Sequence, residues 1–390
     1  MLATTDRRFA LVLSLALAMA VGGALWVAPP AAASVGVGVT PSLLELAAPP
    51  GGSGEQELVI SSTGDQPTEV AVTTVPLDDA APAHSAVAWL DVSPASFRLS
   101  PGKKQKVTVS IDLPDDLESG GYYAAVAVTT GAADRDATGM AVAAQVRVPF
   151  LFTVQGAGDL TQRALIDRFA PVLETDGRIG FRALVRSIGN VHIQAQGNVE
   201  MTDPRGQRYA SLDIPNSGRI LPDSARLLIA LGSVPIQAGQ AYDATLTLSY
   251  DGAPASITAT TAFTTAPPTV SIDDLSVCEN LDRGPTLNIG VRNDGQLGIL
   301  PAVDLQIRTA AGEVVGELAV PASSVLVWPN GTDTFRFDFP RRLESGQYVF
   351  AATARVGTEP QVTKDVPFQI GGVGGTPAPL CPAPLATSAA

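Results

Sequence analysis

An internal repeat is the feature that most limits how this chain can fold. The segment Val185–Ile193 (VRSIGNVHI) matches Val291–Ile299 (VRNDGQLGI) at an offset of 106 residues. A second match joins Asp112–Tyr122 (DLPDDLESGGY) to Asp338–Tyr348 (DFPRRLESGQY). Each copy is therefore about 105–120 residues long, which is the size of one immunoglobulin-like sandwich. A repeat of this length predicts modules in tandem, because solenoid repeats are only about 20–50 residues long.

Hydrophobic residues alternate with polar ones inside each copy. In Lys104–Asp112 (KQKVTVSID), Val107, Val109 and Ile111 fall on one face, and Ala244–Tyr250 shows the same period of two. This alternation is typical of strands with one buried face. Turn pairs such as Pro-Gly, Asp-Gly and Asn-Gly separate the runs. The sequence therefore predicts an all-β chain of three tandem immunoglobulin-like antiparallel β-sandwich domains after a cleaved signal peptide.

The repeat and the linkers set the predicted boundaries. Pro267-Pro268 marks a semi-rigid linker, because each proline restricts the residue before it to extended backbone. The predicted parts are a signal peptide (1–33), an N-terminal sandwich (35–155), a second sandwich (156–266), a third sandwich (267–371) and a flexible Gly/Pro/Ala-rich tail (372–390).

The N-terminus has the order of a secretory signal. Arg7 and Arg8 precede the apolar run Phe9–Ala28, and Ala31 and Ala33 supply the small side chains of a cleavage site. We predict cleavage after Ala33. An uncleaved membrane anchor is the alternative, because the run is nearly long enough to span a bilayer. Both alternatives predict a protein that is secreted or associated with the cell envelope.

Composition excludes several kinds of chemistry. The 390 residues include 25 Lys and Arg against 38 Asp and Glu, a net charge of −13, which argues against nucleic acid as a partner. With two His and two Cys, the chain supplies few ligands for zinc or haem, so we expect no metal and no cofactor. Neither His84 nor His192 lies in a recognisable nucleophile motif. We therefore expect no catalytic residue and no enzymatic activity.

The two cysteines allow one disulfide in an exported protein. Cys278 falls in the first strand of the third module, and Cys381 falls in the tail. Pairing would fix the tail against that module. Two free thiols, or intermolecular pairing through Cys381, are the alternatives.

The segment Met140–Val154 (MAVAAQVRVPFLFTV) is a candidate partner-binding strand. It is long and apolar, and Pro149 interrupts it. Because proline cannot donate to a central ladder, we predict an edge or a bulge that could accept a strand from a partner. The alternative is an ordinary last strand of the first module. The candidate residues of this partner edge strand are Val146, Val148, Phe150 and Phe152.

The recurring turn motifs are interpreted mainly as determinants of the fold. We expect Gly189 to supply a positive φ at the end of a strand, and the tyrosine of the LxSGxY motif to bond its hydroxyl to backbone. Tyr122 and Tyr123 could also stack on a sugar, although one of the two is expected in the core.

The order of motifs in the first two modules resembles a known family. VTPSLLEL (Val39–Leu46), WLDVSPASFRLSPGKKQKVTVSIDLP (Trp89–Pro114) and GGYYAAVAV (Gly120–Val128) are similar to the N-terminal module of bacterial WxL-interacting surface proteins. GRIGFRALVRSIGN (Gly177–Asn190) is similar to their second module. The first module more distantly resembles periplasmic pilus chaperones. No Arg/Lys pair matches the one with which pilus chaperones hold a subunit carboxylate.

The resemblance implies a secreted, non-enzymatic surface protein. Its partner would be a cell-wall polymer such as peptidoglycan, or a surface protein, and its role would be attachment or adhesion. The alternative function is a periplasmic or extracellular assembly chaperone that presents an edge strand to exported subunits.

Overall fold

The chain folds almost entirely into strands, which confirms the predicted all-β immunoglobulin-like class. The computed structural model describes residues 36–131, 144–251, 256–279, 284–322, 325–357 and 359–371. The predicted signal peptide and tail lie outside these residues. The helical segments among them are two short 3₁₀ turns, Pro82–His84 and Val87–Trp89.

The first sandwich is built from the strands β1 Val37–Thr40, β2 Leu44–Ala48, β3 Ser53–Ser62, β4 Thr68–Val75, β5 Leu90–Ser93, β6 Ser96–Leu99, β7 Lys104–Asp112, β8 Gly120–Thr130 and β9 Gln145–Val154. One sheet, β1-β3-β7-β5, packs on the other, β2-β9-β8-β4-β6. The alternating segment forms β7, and Val107, Val109 and Ile111 enter the core as predicted. The N-terminal segment changes sheets, because β1 pairs with β3 whereas β2 pairs in parallel with β9.

The second sandwich is built from the strands β10 Ala164–Leu173, β11 Ile179–Ser187, β12 Ala195–Thr202, β13 Arg208–Ile214, β14 Ala225–Ile229, β15 Ala241–Tyr250 and β16 Ile257–Thr264. One sheet has the order β14-β11-β10, and the facing sheet has the order β13-β12-β15-β16. Between them lies a separate buried core around Phe181, Leu246 and Leu248.

The third sandwich is built from the strands β17 Val270–Cys278, β18 Thr286–Asn293, β19 Gly298–Ile299, β20 Ala302–Thr309, β21 Val314–Val320, β22 Gly331–Asp338, β23 Gly346–Val356 and β24 Glu359–Ile370. Its sheets are β17-β18-β22 and β21-β20-β23-β24, so each main strand has a counterpart in the preceding module. The two matched segments of the repeat begin within equivalent strands, β11 and β18.

The shortest strand joins the second and third sandwiches. β19 belongs to the third module by sequence, but it pairs in parallel with β10, with Val172 opposite Gly298 and Leu173 opposite Ile299. Leu297 packs in the core of the second module, and Leu173 packs against the core of the third. The two modules therefore share backbone hydrogen bonds and apolar contacts.

The two repeated motifs stabilise the fold in different ways. The hydroxyls of Tyr122 and Tyr348 donate to the carbonyls of Glu118 and Glu344, at 3.2 and 2.9 Å, which confirms the predicted bond to backbone. The expectation for Gly189 is wrong, because its φ is not positive. A Cβ at that position would instead lie 2.2 Å from the carbonyl oxygen of Thr161.

Candidate functional site

The first and second sandwiches meet at a polar junction around Tyr123 in β8. Its side chain is fully buried, and its hydroxyl accepts a hydrogen bond from the backbone N–H of His192 at 3.0 Å. Asn190 makes two further contacts across the junction. Its side-chain amide donates to the carbonyl of Ser119 at 2.9 Å, and its own carbonyl accepts from the N–H of Gly121 at 2.7 Å. These hydrogen bonds fix the contact between the modules.

Both histidines of the chain lie beside Tyr123. The rings of His84 and His192 are centred 6.3 and 5.8 Å from its ring. His84 Nδ1 is 2.7 Å from the carbonyl oxygen of Gly121, and His192 Nδ1 is 3.3 Å from the Tyr123 hydroxyl. Among the described residues, neither imidazole is hydrogen-bonded to a Ser, Thr or Cys side chain. The contacts of the two imidazoles lie where the first and second modules meet, and they help to hold the modules together.

Electrostatics at the junction favour the neutral forms of its buried groups. Burial lowers the pKa of His192, and the positive charge of Arg219 lowers it further. Burial also raises the pKa of the Tyr123 hydroxyl. Both residues therefore act at neutral pH as uncharged hydrogen-bonding groups.

An ion pair closes one side of the junction. Arg219 of the second module donates to both carboxylate oxygens of Glu45 in β2, at 2.7 and 2.6 Å. The hydrogen bond from Arg219 is the main cause that lowers the pKa of Glu45. This planar two-point contact is the geometry that guanidinium and carboxylate groups favour.

A cleft opens beside this ion pair. It encloses a cavity of about 220 Å³ with Leu43, Pro149, Leu151 and Leu221 among its lining residues. Arg226 also lines it, and its guanidinium donates to the carbonyl of Ser217 at 2.8 Å. Within the described part of the chain, Arg226 forms no ion pair. Asp78 and Asp79 line the cleft as well, so it combines an apolar floor with side chains of both charges.

The predicted partner strand lies along this cleft, but its side chains do not face a partner. Val148, Phe150 and Phe152 are buried in the first core, and Val146 is half-buried. Their side chains therefore cannot provide the contact, because every second residue of β9 points into the sandwich. That this strand binds a partner through its backbone stays a prediction. Residues 140–143 of the candidate segment lie outside the described residues.

The backbone of β9 has an open edge over half its length. Phe150–Val154 pairs with β2 on one side and β8 on the other. Ala144 accepts from the N–H of Thr130, so even-numbered residues direct their backbone groups toward β8. The backbone groups of Gln145, Arg147 and Pro149 therefore point away from β8, and no described strand pairs with them on that outer side. The missing N–H of Pro149 falls on this outer side, which explains why it does not interrupt the β8–β9 ladder.

The prediction that Tyr122 and Tyr123 could stack on a sugar is wrong for Tyr123. Tyr123 is fully buried and cannot present a face to a sugar. Tyr122 is half-buried and packs on Trp89, with ring centres 4.9 Å apart. A contact between Tyr122 and a sugar remains a prediction.

The predicted disulfide joins Cys278 to Cys381. Cys278 is buried at the end of β17, whereas Cys381 lies outside the described residues, so their pairing stays a prediction. Across the described residues, no three or more His, Cys, Asp or Glu side chains come together in a group that could hold a metal ion. The described helices also include none long and apolar enough to cross a membrane.

Little in the sequence indicates which residues form the cleft. Glu45 and Arg219 are 174 positions apart. No local motif marks such a pair, because only the packing of two modules brings them together. Asn190 lies inside the repeated segment, whose motif indicates a turn and not a contact between modules.

Comparisons with known proteins find similarity in the fold. No family model and no curated protein matches the chain. The E. coli chaperone DraB aligns over 58% of this chain and 98% of its own, at 13% identity and a TM-score of 0.32. The periplasmic chaperone SfaE aligns over 58% and 98%, at 12% identity and a TM-score of 0.30. A chain of the Salmonella enterica SafA pilin–SafB chaperone complex aligns over 58% and 96%, at 13% identity and 0.33. The resemblance to WxL-interacting proteins stays a prediction.

Proposed function

We propose that this chain is a non-enzymatic binding protein of the cell envelope that holds an extended segment of an exported protein, as an assembly chaperone does. The open edge of β9 at Gln145–Pro149 is the observation that carries this proposal. An exposed row of backbone donors and acceptors is a template for strand addition from another chain.

The surroundings of the edge support a peptide rather than a small molecule. The cleft continues from Pro149 over Leu151 and Leu221, so apolar side chains of a bound segment would find apolar surface. Charged side chains of both signs also line the cleft, among them Arg226, Asp78 and Asp79, so polar groups of a bound segment would find partners beside the apolar surface.

A pair of substitutions at one residue tests the edge. Arg147→Pro removes an outward N–H and leaves the β8–β9 ladder intact, whereas Arg147→Ala keeps that N–H. Both remove the ion pair with Asp78, whose N–O distance is 2.7 Å. We expect Arg147→Pro to abolish co-purification of exported proteins from envelope extract and Arg147→Ala to retain it. Equal retention by both variants, each folded by circular dichroism, would contradict the proposal.

Attachment to the cell wall gives a different result in the same experiment. Wild-type protein that sediments with purified peptidoglycan, with or without Arg147→Pro, would favour attachment. Val148 is unsuitable for this test, because it is fully buried and a charge there would destabilise the core.

A further inference from the structure

A second groove lies at the junction of the second and third sandwiches. It encloses about 640 Å³ between β10, β16 and the turn that contains Trp328. Asp167 and Arg168 line one side, and Ala262 and Gln296 line the other. A volume of this size falls within the range of specific ligand sites, roughly 300–1,000 Å³.

The groove occupies a position that a strand fills in the first module. There, β2 pairs in parallel with β9, the last strand of its sandwich. In the second module β10 stays with β11 along its whole length, and β16 pairs with β15 alone among the described strands. The outer side of β16 is therefore the equivalent strand position without a strand in it.

The backbone of β16 presents unpaired groups to this groove. Thr265 donates its N–H to the carbonyl of Gln240, so odd-numbered residues of β16 face β15. Thr260, Ala262 and Thr264 consequently face outward. The side-chain oxygen of Gln296 accepts a hydrogen bond from the N–H of Thr264 at 2.8 Å. The outward N–H of Thr264 is therefore already bonded to a residue of the third module. The outward backbone groups of Thr260 and Ala262 remain available for hydrogen bonds with an added strand.

The charge of the groove selects the kind of strand. The Arg168 guanidinium lies 5.6 Å from the centre of the Trp328 ring and forms no ion pair within the described residues. The nearby carboxylate of Asp167 is neutralised by Arg186 at 2.7 Å. A guanidinium can lie over an aromatic ring and still use its N–H donors to bind a carboxylate. The groove is thus suited to an acidic ligand.

We propose that this groove binds an extended acidic segment of a partner polypeptide, which adds to the edge of β16 at Ala262 and pairs a carboxylate with Arg168. The site is separate from the open edge of β9 and goes beyond the function proposed above. Together the two edges would allow one chain to hold polypeptide at both of its module junctions.

Selection of labelled decapeptides from a random library on the full chain tests this site. We expect the selected peptides to be enriched in Asp and Glu and to slow hydrogen exchange at residues 258–264. Arg168→Gln and Ala262→Pro should each weaken binding about tenfold or more, because each removes one recognition element. Ala262→Ser keeps the outward N–H and should bind like the wild type.

Two matched controls distinguish binding in this groove from binding elsewhere on the chain. Arg208→Gln removes an exposed arginine outside the groove, and Arg147→Pro changes the β9 edge and removes the ion pair with Asp78, both outside the lining of this groove. Neither substitution should alter binding of the selected peptides. Peptides without acidic enrichment would overturn the proposal, and so would binding unaffected by both Arg168→Gln and Ala262→Pro. Binding of oligosaccharides that is lost with Arg168→Gln, in place of peptides, would also overturn it.

Discussion

Tyr123 and His192 connect the first two sandwiches through one short contact, in which the Tyr123 hydroxyl accepts the backbone N–H of His192 at 3.0 Å. Both residues are buried, so neither group can turn to water when the contact is lost. The junction therefore depends on a hydrogen bond between modules that are themselves separately packed.

Tyr123→Phe should destabilise this junction. The substitution keeps the ring and leaves the N–H of His192 without its acceptor, which typically costs about 1–3 kcal/mol. We expect earlier unfolding in guanidinium chloride and faster hydrogen exchange at residues 190–193. Tyr122→Phe is the matched control, because its hydroxyl bond lies at an exposed site. An unchanged exchange rate at residues 190–193 in Tyr123→Phe would show that the bond does not hold the junction.

Acidification should weaken the same contact through His192. Burial lowers the pKa of His192 below the ordinary value of 6.5, and the positive charge of Arg219 lowers it further. The carboxylates of Glu45 and Asp251 raise this pKa, but their effect is smaller than that of burial. The unfolded state then binds more protons than the folded state, so this contribution is present above pH 6.5 and is lost as the pH falls toward the folded-state pKa. The free energy of unfolding should fall as the pH drops below about 6.5, and less so in His192→Asn. Equal slopes for both proteins would contradict this prediction.

Gly189→Ala should destabilise the second sandwich. The added Cβ would lie 2.2 Å from the carbonyl oxygen of Thr161, and relief requires movement of backbone. Such overpacking costs about 1–3 kcal/mol. Gly54→Ala is the control, because a Cβ there has no neighbour within 4 Å. Thermal unfolding of the two variants should differ clearly; a melting curve for Gly189→Ala like that of Gly54→Ala would be evidence against close packing at this turn.

The repeat supplies another matched pair, Asn293 and Ser187, which occupy equivalent strand ends. Asn293 is fully buried, donates to the carbonyl of Leu297 at 2.7 Å and accepts from the N–H of Gly295 at 2.9 Å. The Ser187 hydroxyl is buried without a hydrogen-bond partner among the described residues. Asn293→Ala should therefore cost about 1–3 kcal/mol, whereas Ser187→Ala should change stability by about 0.5 kcal/mol or less. Chemical denaturation that gives similar losses for both would contradict this assignment.

The alternating pattern predicts side-chain orientation well and hydrogen-bonding direction poorly. In β7 the predicted apolar face is the buried face, because burial depends directly on which side chains are hydrophobic. In β9 the same pattern correctly indicates that Val148 and Phe150 are buried. The position of the open edge, however, depends on which backbone groups face β8, and the pattern of side chains carries no information about that. Pro149 indicates that an edge lies nearby, although it cannot indicate that β2 covers the adjoining half of the strand.

The contacts between modules could not be predicted from the sequence. The bond of the tyrosine motif is predictable because Tyr348 bonds to Glu344, four residues away. The contact between Glu45 and Arg219 instead requires the relative placement of two folded sandwiches, which no local pattern encodes.

The pairing of β19 with β10 has a practical consequence for dividing this protein into parts. A fragment that ends in the Pro267-Pro268 linker would leave Val172 and Leu173 without their neighbours Gly298 and Ile299, and would remove Leu297 from the hydrophobic interior of that fragment. Loss of binding in such a truncated product would then report damage to the second sandwich as much as absence of the third. Point substitutions in the intact chain avoid this ambiguity.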